Sequence, residues 1–407
     1  MQAQHAHQTF ESIYRTTPTA TAFCPYRICP IGAHSDHQYG KVTGFAIDKG
    51  VHIAYRPKQN GVVELKSLNF DKRAQFFVER VPENKQGDWA DYLRGAAFIL
   101  GQRHSLRVGL SGVIEGSLPI GGLSSSAAVI IAFLDALCKV NGVGLSMPEL
   151  IQVALRAENE YVGVSCGKLD QSCEIYAKKD HLLYLDTKDD SFELIPTHPG
   201  MKPYEIAIFF SGVERTLVGS QFNKRVDELK SAAYALKAFA MEDGLAGELD
   251  VVYDRFSEAR LRDVPRWIYD RYKQRLPDLW RKRAEHFYTE FERVEQGAEA
   301  WRRGDLETYG RLSFESGHSS IHNYETGSEE LIELYEIMRC TDGIYGGRFS
   351  GAGFKGCCMA LIDPGFRESI ERGVTEAYLK AFPKHRDKFS VHFCHSADGI
   401  NHKETLV

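Results

Sequence analysis

The run Leu118-Pro-Ile-Gly-Gly-Leu-Ser-Ser-Ser-Ala-Ala128 sets a two-glycine turn ahead of three hydroxyls, followed by an apolar stretch from Ala127 to Leu137 long enough for a buried helix. Glycines let backbone approach a ligand closely, and serines supply N-caps and hydroxyl donors. The unpaired N–H groups and positive dipole end of such a helix form a ready site for phosphate. The run lacks Gly-Lys-Ser/Thr, so it is no Walker A loop, and its glycine spacing is not that of a dinucleotide fold. A Ser-capped core helix would carry the same residues. The loop alone therefore leaves phosphate binding and plain packing both open.

Three further segments concentrate groups able to do chemistry. The first is Cys24-Pro-Tyr-Arg-Ile-Cys-Pro-Ile-Gly-Ala-His-Ser-Asp-His-Gln-Tyr-Gly40, the second Cys166-Gly-Lys-Leu-Asp-Gln-Ser172, and the third Gly346-Gly-Arg-Phe-Ser-Gly-Ala-Gly-Phe-Lys-Gly-Cys-Cys358. Other constellations carry less. His318 and His322 stand four apart as zinc ligands can, but no Glu occupies the HExxH position. On an expected strand His392 and Cys394 face one side and His395 the other, so they do not converge. Cys357-Cys358 reads most simply as packing, and none of these groups receives a metal.

The elements that must hold these segments are short strands mixed with helices. Strands are expected at Val42–Tyr55, Val62–Ser67, Gln75–Val78, Val108–Glu115, Leu182–Leu185, Tyr204–Phe210, Cys357–Ile362 and Phe389–Cys394. Helices are expected at Trp89–Leu100, after the Ser-rich turn, at 148–164, 222–243, 277–303 and 328–339. A glycine-rich turn is expected over 343–356. Strands and helices without strict βαβ alternation argue for α+β. A chain of 407 residues exceeds what one core usually serves. The polar segment 186–203 marks the boundary, giving an N-terminal domain 1–195 and a C-terminal domain 196–407. With 50 basic and 55 acidic residues the net charge is −5, and no Lys/Arg cluster points to nucleic acid. The most apolar stretch is too short to span a bilayer and carries Asp135. No signal pattern opens the chain, and nine cysteines without a framework suggest reduced thiols and a cytoplasmic protein.

Taken together, the Ser-rich loop and the three segments resemble the motifs of the GHMP small-molecule kinases, and the Arg…Gly-x-His-x-Asp-His block resembles the galactokinase branch. Trp89-Ala-Asp-Tyr-Leu-Arg-Gly95, Arg283-Ala-Glu-His286 and Ser316-Gly-His-Ser-Ser-Ile-His-Asn-Tyr324 extend the resemblance over nearly the whole chain. It implies a two-lobed α+β fold, with an N-terminal β-sheet and helix lobe like ribosomal protein S5, a C-terminal α+β layer, and the active site in the cleft between. It also implies ATP as co-substrate and Mg²⁺. By this resemblance the phosphate loop is Gly121, Gly122, Leu123, Ser124, Ser125 and Ser126, one residue shorter than the usual pattern. Trp89 and Tyr92 are candidates to pack against the adenine, though an aromatic pair at helical spacing is more often part of a core. Ser126 and Glu158 match the magnesium ligands, Asp170 the catalytic aspartate and Arg27 its basic partner. Ala33, His34, Ser35, Asp36 and Phe222 fall at the sugar, and Arg348 and its glycines are expected beside the phosphate loop.

Two departures from the pattern bear on the substrate. Most galactokinases carry Glu where this chain has Ala33, a carboxylate that binds the sugar's C6 hydroxyl. Its loss removes the charge that would repel a C6 carboxylate. Galacturonokinase-like members of the branch carry Ala here. Phe222 stands where Tyr is usual. The resemblance thus implies a sugar 1-kinase acting on D-galacturonate. The alternatives are a galactokinase with relaxed C6 tolerance, or a sensor that binds sugar and ATP without turnover. A small-molecule sugar or uronic acid partner is expected, without nucleic acid or membrane, in a monomer or weak homo-oligomer.

Overall fold

The computed structural model describes residues 2–213, 219–250 and 255–400. Contacts divide the chain into two compact units, one made of Met1–Arg27, Ala46–Lys179 and Ser396–Val407, the other of Ile28–Phe45 and Asp180–His395. One cut at 195 does not reproduce these units: residues 28–45 group with the later part of the chain, and the division comes at 179 and 180.

In the first unit a helix α1 (Gln2–Tyr14) precedes strands β1 (Ala20–Ile28), β2 (Lys41–Lys58), β3 (Val62–Ser67) and β4 (Arg73–Phe77), helix α2 (Asp91–Gly101) and strand β5 (Gly109–Gly116). Here the sheet order is β4-β3-β5-β2, and β1 and a two-residue strand at Ser396–Ala397 also pair with β2. β3 runs parallel to β5, with Glu64 opposite Ser111, and the other registered pairs are antiparallel. Helix α3 (Ser125–Asn141) is buried nearly all round, as its apolar run requires, and stops at Gly142 in the left-handed region. Helix α4 (Met147–Arg156) starts with a capping box in which Ser146 and Glu149 satisfy each other's end of the helix. The single helix expected over 148–164 is not one α-helix, for residues Ala157–Val162 form a π-turn closed by Gly163. Such turns recur at functional positions, and this one carries Glu158. Helix α5 (Leu169–Tyr176) completes the unit.

In the second unit the start of β2 pairs with β6 (His181–Asp186), and β6 with β7 (Phe192–Pro196). Strand β8 (Glu205–Phe210) is followed by helices α6 (Gly219–Glu242), α7 (Arg266–Tyr272), α8 (Asp278–Arg302), α9 (Leu306–His322) and α10 (Glu329–Arg339). Strands β9 (Ile344–Phe349) and β10 (Cys357–Ile362), helix α11 (Arg367–Ala381) and strand β11 (Ser390–Cys394) close it. An antiparallel sheet in the order β11-β8-β10-β9 packs its Ala207, Phe209, Phe349 and Ala360 against Leu334, Tyr335, Met338 and Tyr378 of the helices. A separate helical core gathers Leu229, Leu236, Ile268, Tyr269, Phe287 and Tyr324.

The glycine-rich turn expected from residue 343 is corrected at 344–349, which are strand β9. A Cβ on Gly346 would lie 2.1 Å from the Gly310 carbonyl of α9, so the glycines keep a strand bare enough for a helix to press against it. None of the nine cysteines is joined in a disulfide. No helix among the described residues is long and apolar enough to cross a membrane.

Candidate functional site

In the first unit the Ser-rich run folds into a tight loop. Gly121, Gly122 and Ser124 all have positive φ, at 134°, 88° and 60°. Only glycine takes the first two conformations without strain, and Ser124 is held in a conformation that costs a side chain energy. Buried Leu123 anchors the loop between them. Ser125 and Ser126 are the first two residues of α3, where backbone N–H groups have no helical partner.

Arg27 joins this loop to the second motif. It is only 4 % exposed. Its Nε and Nη2 each stand 2.8 Å from Asp170 Oδ1, and its Nη1 donates to the Gly122 carbonyl at 3.2 Å. The Arg27 backbone N–H reaches the Leu123 carbonyl at 3.4 Å. Asp170 lies in the first turn of α5 with a side chain 22 % exposed, so its carboxylate is both paired and open to a reactant. The next residue, Gln171, donates through Nε2 to Glu158 Oε2 at 2.6 Å, and the Cys166 thiol reaches the same oxygen at 3.5 Å. Glu158 is 3 % exposed on its π-turn. One turn beyond Asp170, Glu174 is fully buried. Burial first, and then the charge of Asp170, drive its carboxyl well above the usual range, Arg27 opposing and Glu158 adding to the rise.

Glu174 shows that Asp170, Glu158 and Arg27 lie within electrostatic reach of one another's neighbourhood. A buried surplus of negative charge suits a dication. One carboxylate and one hydroxyl, Glu158 and Ser126, are also the donor chemistry of Mg²⁺, which takes most other ligands from phosphate and water. Sequence reasoning missed Glu174. Its signal was faint, an acid four residues after Asp170 inside an otherwise buried helix. Trp89 donates its indole N–H to the Lys72 carbonyl at 2.8 Å and stacks on the exposed Phe70 ring at 5.9 Å.

In the second unit the sugar motif forms another strained turn. Gly32 has φ 108°, and a Cβ there would come within 2.6 Å of Val42 Cα, while His34 takes φ 63°. Ser35 Oγ closes the turn onto the Gly32 carbonyl at 2.7 Å. Ala33 is 7 % exposed. His34 stacks on Tyr324 at 4.3 Å and approaches Phe222 at 6.4 Å, and Phe222 stands edge-on to His37 at 5.9 Å. Asp36 opens a short 3-10 turn and is half-buried. After burial itself, its charge is the largest influence raising the Tyr324 hydroxyl. The structure thus brings together Ala33, His34, Ser35, Asp36 and Phe222.

Around that turn stand residues that the motifs alone did not single out. His286 Nε2 lies 3.0 Å from the Ala33 carbonyl and Glu290 Oε1 2.7 Å from the Gly32 N–H. Burial lowers His286 to about 4. Burial would raise Glu290, but Arg293 and Arg348 outweigh it and hold the carboxyl at about 2. His37 is lowered to about 3 by burial, then by Arg260 and Lys230. Arg348 hydrogen-bonds to Ser316, to Ser320 Oγ at 2.9 Å and to the Phe349 carbonyl, and it stands 3.6 Å from Glu290. The fully buried guanidinium needs that carboxylate, which is why it belongs with the supports of the turn.

Three family models match the chain: the GHMP kinases N terminal domain over residues 91–178, the galactokinase galactose-binding signature over 8–57, and the GHMP kinases C terminal domain over 298–380. A galacturonokinase of Arabidopsis thaliana is 37 % identical over 380 residues, covering 88 % of this chain and 87 % of that protein. A galactokinase of Thermococcus kodakarensis is 33 % identical, covering 89 % of this chain and 94 % of its own. The crystal structure of Lactococcus lactis galactokinase complexed with galactose superposes with a TM-score of 0.86 at 25 % identity, covering 98 % of this chain and 99 % of that one. Methanococcus jannaschii mevalonate kinase shares the fold, with a TM-score of 0.62 at 15 % identity over 94 % of this chain and 100 % of its own. With these matches in the order of its own motifs, the chain belongs to the GHMP kinase family, in the galactokinase branch, and is an enzyme of that kind.

Proposed function

We propose that this kinase transfers the γ-phosphate of ATP to the anomeric hydroxyl of D-galacturonate, giving galacturonate 1-phosphate and ADP. The observation that carries the substrate is Ala33, small and buried in the sugar turn where galactokinases place a carboxylate. A site without that charge accepts a C6 carboxylate without repulsion and leaves a C6 hydroxyl poorly matched.

Phosphoryl transfer asks a protein mainly for positioning and neutralisation of charge. The N–H groups from Gly121 to Ser126 hold the phosphates of ATP at the start of α3. Asp170 accepts the proton of the sugar hydroxyl as its oxygen attacks phosphorus, and the bond from the γ-phosphorus to the bridging oxygen of ADP breaks. Arg27, bonded to Asp170 Oδ1, orients that carboxylate and offsets charge developing on the phosphoryl group. Ser126 and Glu158 would hold Mg²⁺, which would supply charge neutralisation on the phosphate oxygens. Ala33 to Asp36, with Phe222, select the sugar.

ADP release measured side by side with galactose, galacturonate and glucuronate tests the assignment. Galacturonate is expected to give the highest kcat/KM. A preference for galactose overturns the uronate reading, and binding of ATP and sugar without any phosphorylated product makes the chain a sensor.

A further inference from the structure

Helix α8 presents two fully buried side chains four residues apart, His286 and Glu290, to successive backbone groups of the sugar turn. Glu290 Oε1 accepts from the Gly32 N–H at 2.7 Å, and His286 Nε2 meets the Ala33 carbonyl at 3.0 Å. We propose that this pair is a positioning clamp for the sugar: it sets where residue 33 presents its side chain, and so acts on sugar selection rather than on nucleotide binding. The inference rests on the assignment of residues 32–36 to the sugar.

The direction of each bond follows from chemistry. A carbonyl only accepts, so His286 carries its proton on Nε2, and in the neutral ring Nδ1 must accept. Ser319 Oγ lies 3.0 Å from Nδ1 and supplies that proton, while Asn323 Nδ2 donates to the same Oγ at 3.1 Å. The relay from Asn323 through Ser319 and His286 to Ala33 leaves the ring one orientation and one tautomer. Glu290 is fixed as firmly, by Ser316 and by Arg293 at 2.7 Å. The turn needs such fixing. Gly32 and His34 both hold positive φ, and residues 32–34 lie outside every strand among the described residues. Without the clamp these two buried backbone groups lose their partners, and the turn has a reason to move.

Replacing His286 tests this, because Leu and Gln separate packing from hydrogen bonding. Gln places an N–H donor near the position of Nε2, whereas Leu fills space without one. In His286→Leu the sugar KM is expected to rise roughly tenfold, with the KM for ATP within about twofold of wild type, the loss of one buried hydrogen bond setting the scale. In His286→Gln the sugar KM should return to within about threefold. A purely structural His286 would lower the active fraction, and hence kcat, with neither KM moving. A sugar KM unchanged in Leu, or raised equally in Leu and Gln, overturns the clamp. If His286→Leu fails to fold, Ser319→Ala takes its place. Removing the hydroxyl that orients the ring should raise the sugar KM about threefold, and an unchanged value counts against the proposal. All variants are measured with galactose and galacturonate in parallel. A wild type active on galactose alone overturns the uronate assignment, while the Leu–Gln contrast is still read on galactose.

Discussion

The polar groups around Asp170 and those around Ala33 are satisfied in opposite ways. Near Asp170 the partners are charged: Arg27 pairs with the carboxylate and bonds to the Ser-rich loop, Glu158 lies close by, and their neighbour Glu174 is pushed by burial toward its neutral form. Near Ala33 the groups packed on the turn are histidines kept neutral by burial, stacked rings and hydroxyls, and the carboxylate of Glu290 is tied down behind the backbone. Charge in a low-dielectric setting attracts and steers phosphate and metal. Neutral hydrogen bonds and ring faces instead discriminate among hydroxyls that differ little in charge. Under the proposed function turnover falls to the first region and selection to the second, and the contrast can be broken in four ways.

The largest effect is expected from Asp170→Asn. The amide keeps the shape but accepts no proton, so kcat should fall by about 10²–10⁴-fold while sugar and ATP bind nearly as before. Steady-state kinetics with equilibrium binding checks this, and a near-normal kcat would move catalysis away from Asp170.

Ala33→Glu addresses selection. Two unit charges about 5 Å apart at an effective dielectric near 20 repel by about 3 kcal/mol. That amounts to roughly a hundredfold loss or more in kcat/KM for galacturonate. The gain for galactose should be only a few-fold, since one added hydrogen bond nets about 0.5–1.5 kcal/mol. Equal losses for both sugars would show instead that the buried position rejects bulk.

The third test is stability in acid, read at the sugar turn. His286 and His37 have folded values of about 4 and about 3, below the ordinary histidine value of 6.5. Between those limits the unfolded chain binds protons that the folded chain refuses, so stability is complete above pH 6.5 and falls as pH drops toward 4. Glu290 adds to the loss below its ordinary 4.5, down to about 2. Denaturant midpoints across pH should fall in this window, and the slope should flatten in His286→Gln.

Glu174 should give the smallest change and the opposite sign. Its carboxyl is raised in the fold, so the folded chain holds a proton that the unfolded chain releases above its ordinary 4.5, and stability falls as pH rises from there. Glu174→Gln keeps the size without the charge. It should raise the melting temperature at neutral pH by about a few degrees, with the gain shrinking toward pH 4.5. A gain independent of pH would mean packing rather than charge.

Local pattern located much of the molecule. Val62–Ser67 and Glu329–Arg339 begin and end within a residue of expectation because alternation and capping are short-range signals. Helix α3 is equally legible, since its apolar run can only be buried. Strand β9 was not, because a glycine-rich stretch looks like a turn until a helix is found packed on its backbone. Nor were α9 and α11, whose mixed faces show only against the sheet they cover.

By itself, then, the amino-acid order determined the motif residues, their family and the kind of chemistry they carry, because each motif is a contiguous run whose residue types already state its needs. It also carried the substitution at Ala33, on which the substrate proposal depends. Tertiary structure alone decided what holds those residues in place. His286 lies 253 positions from the carbonyl it meets, Glu290 258 from the N–H it accepts, and Arg27 143 from Asp170. A hydrogen bond depends on a few ångströms and an angle, and at such separations no local period or propensity encodes either one.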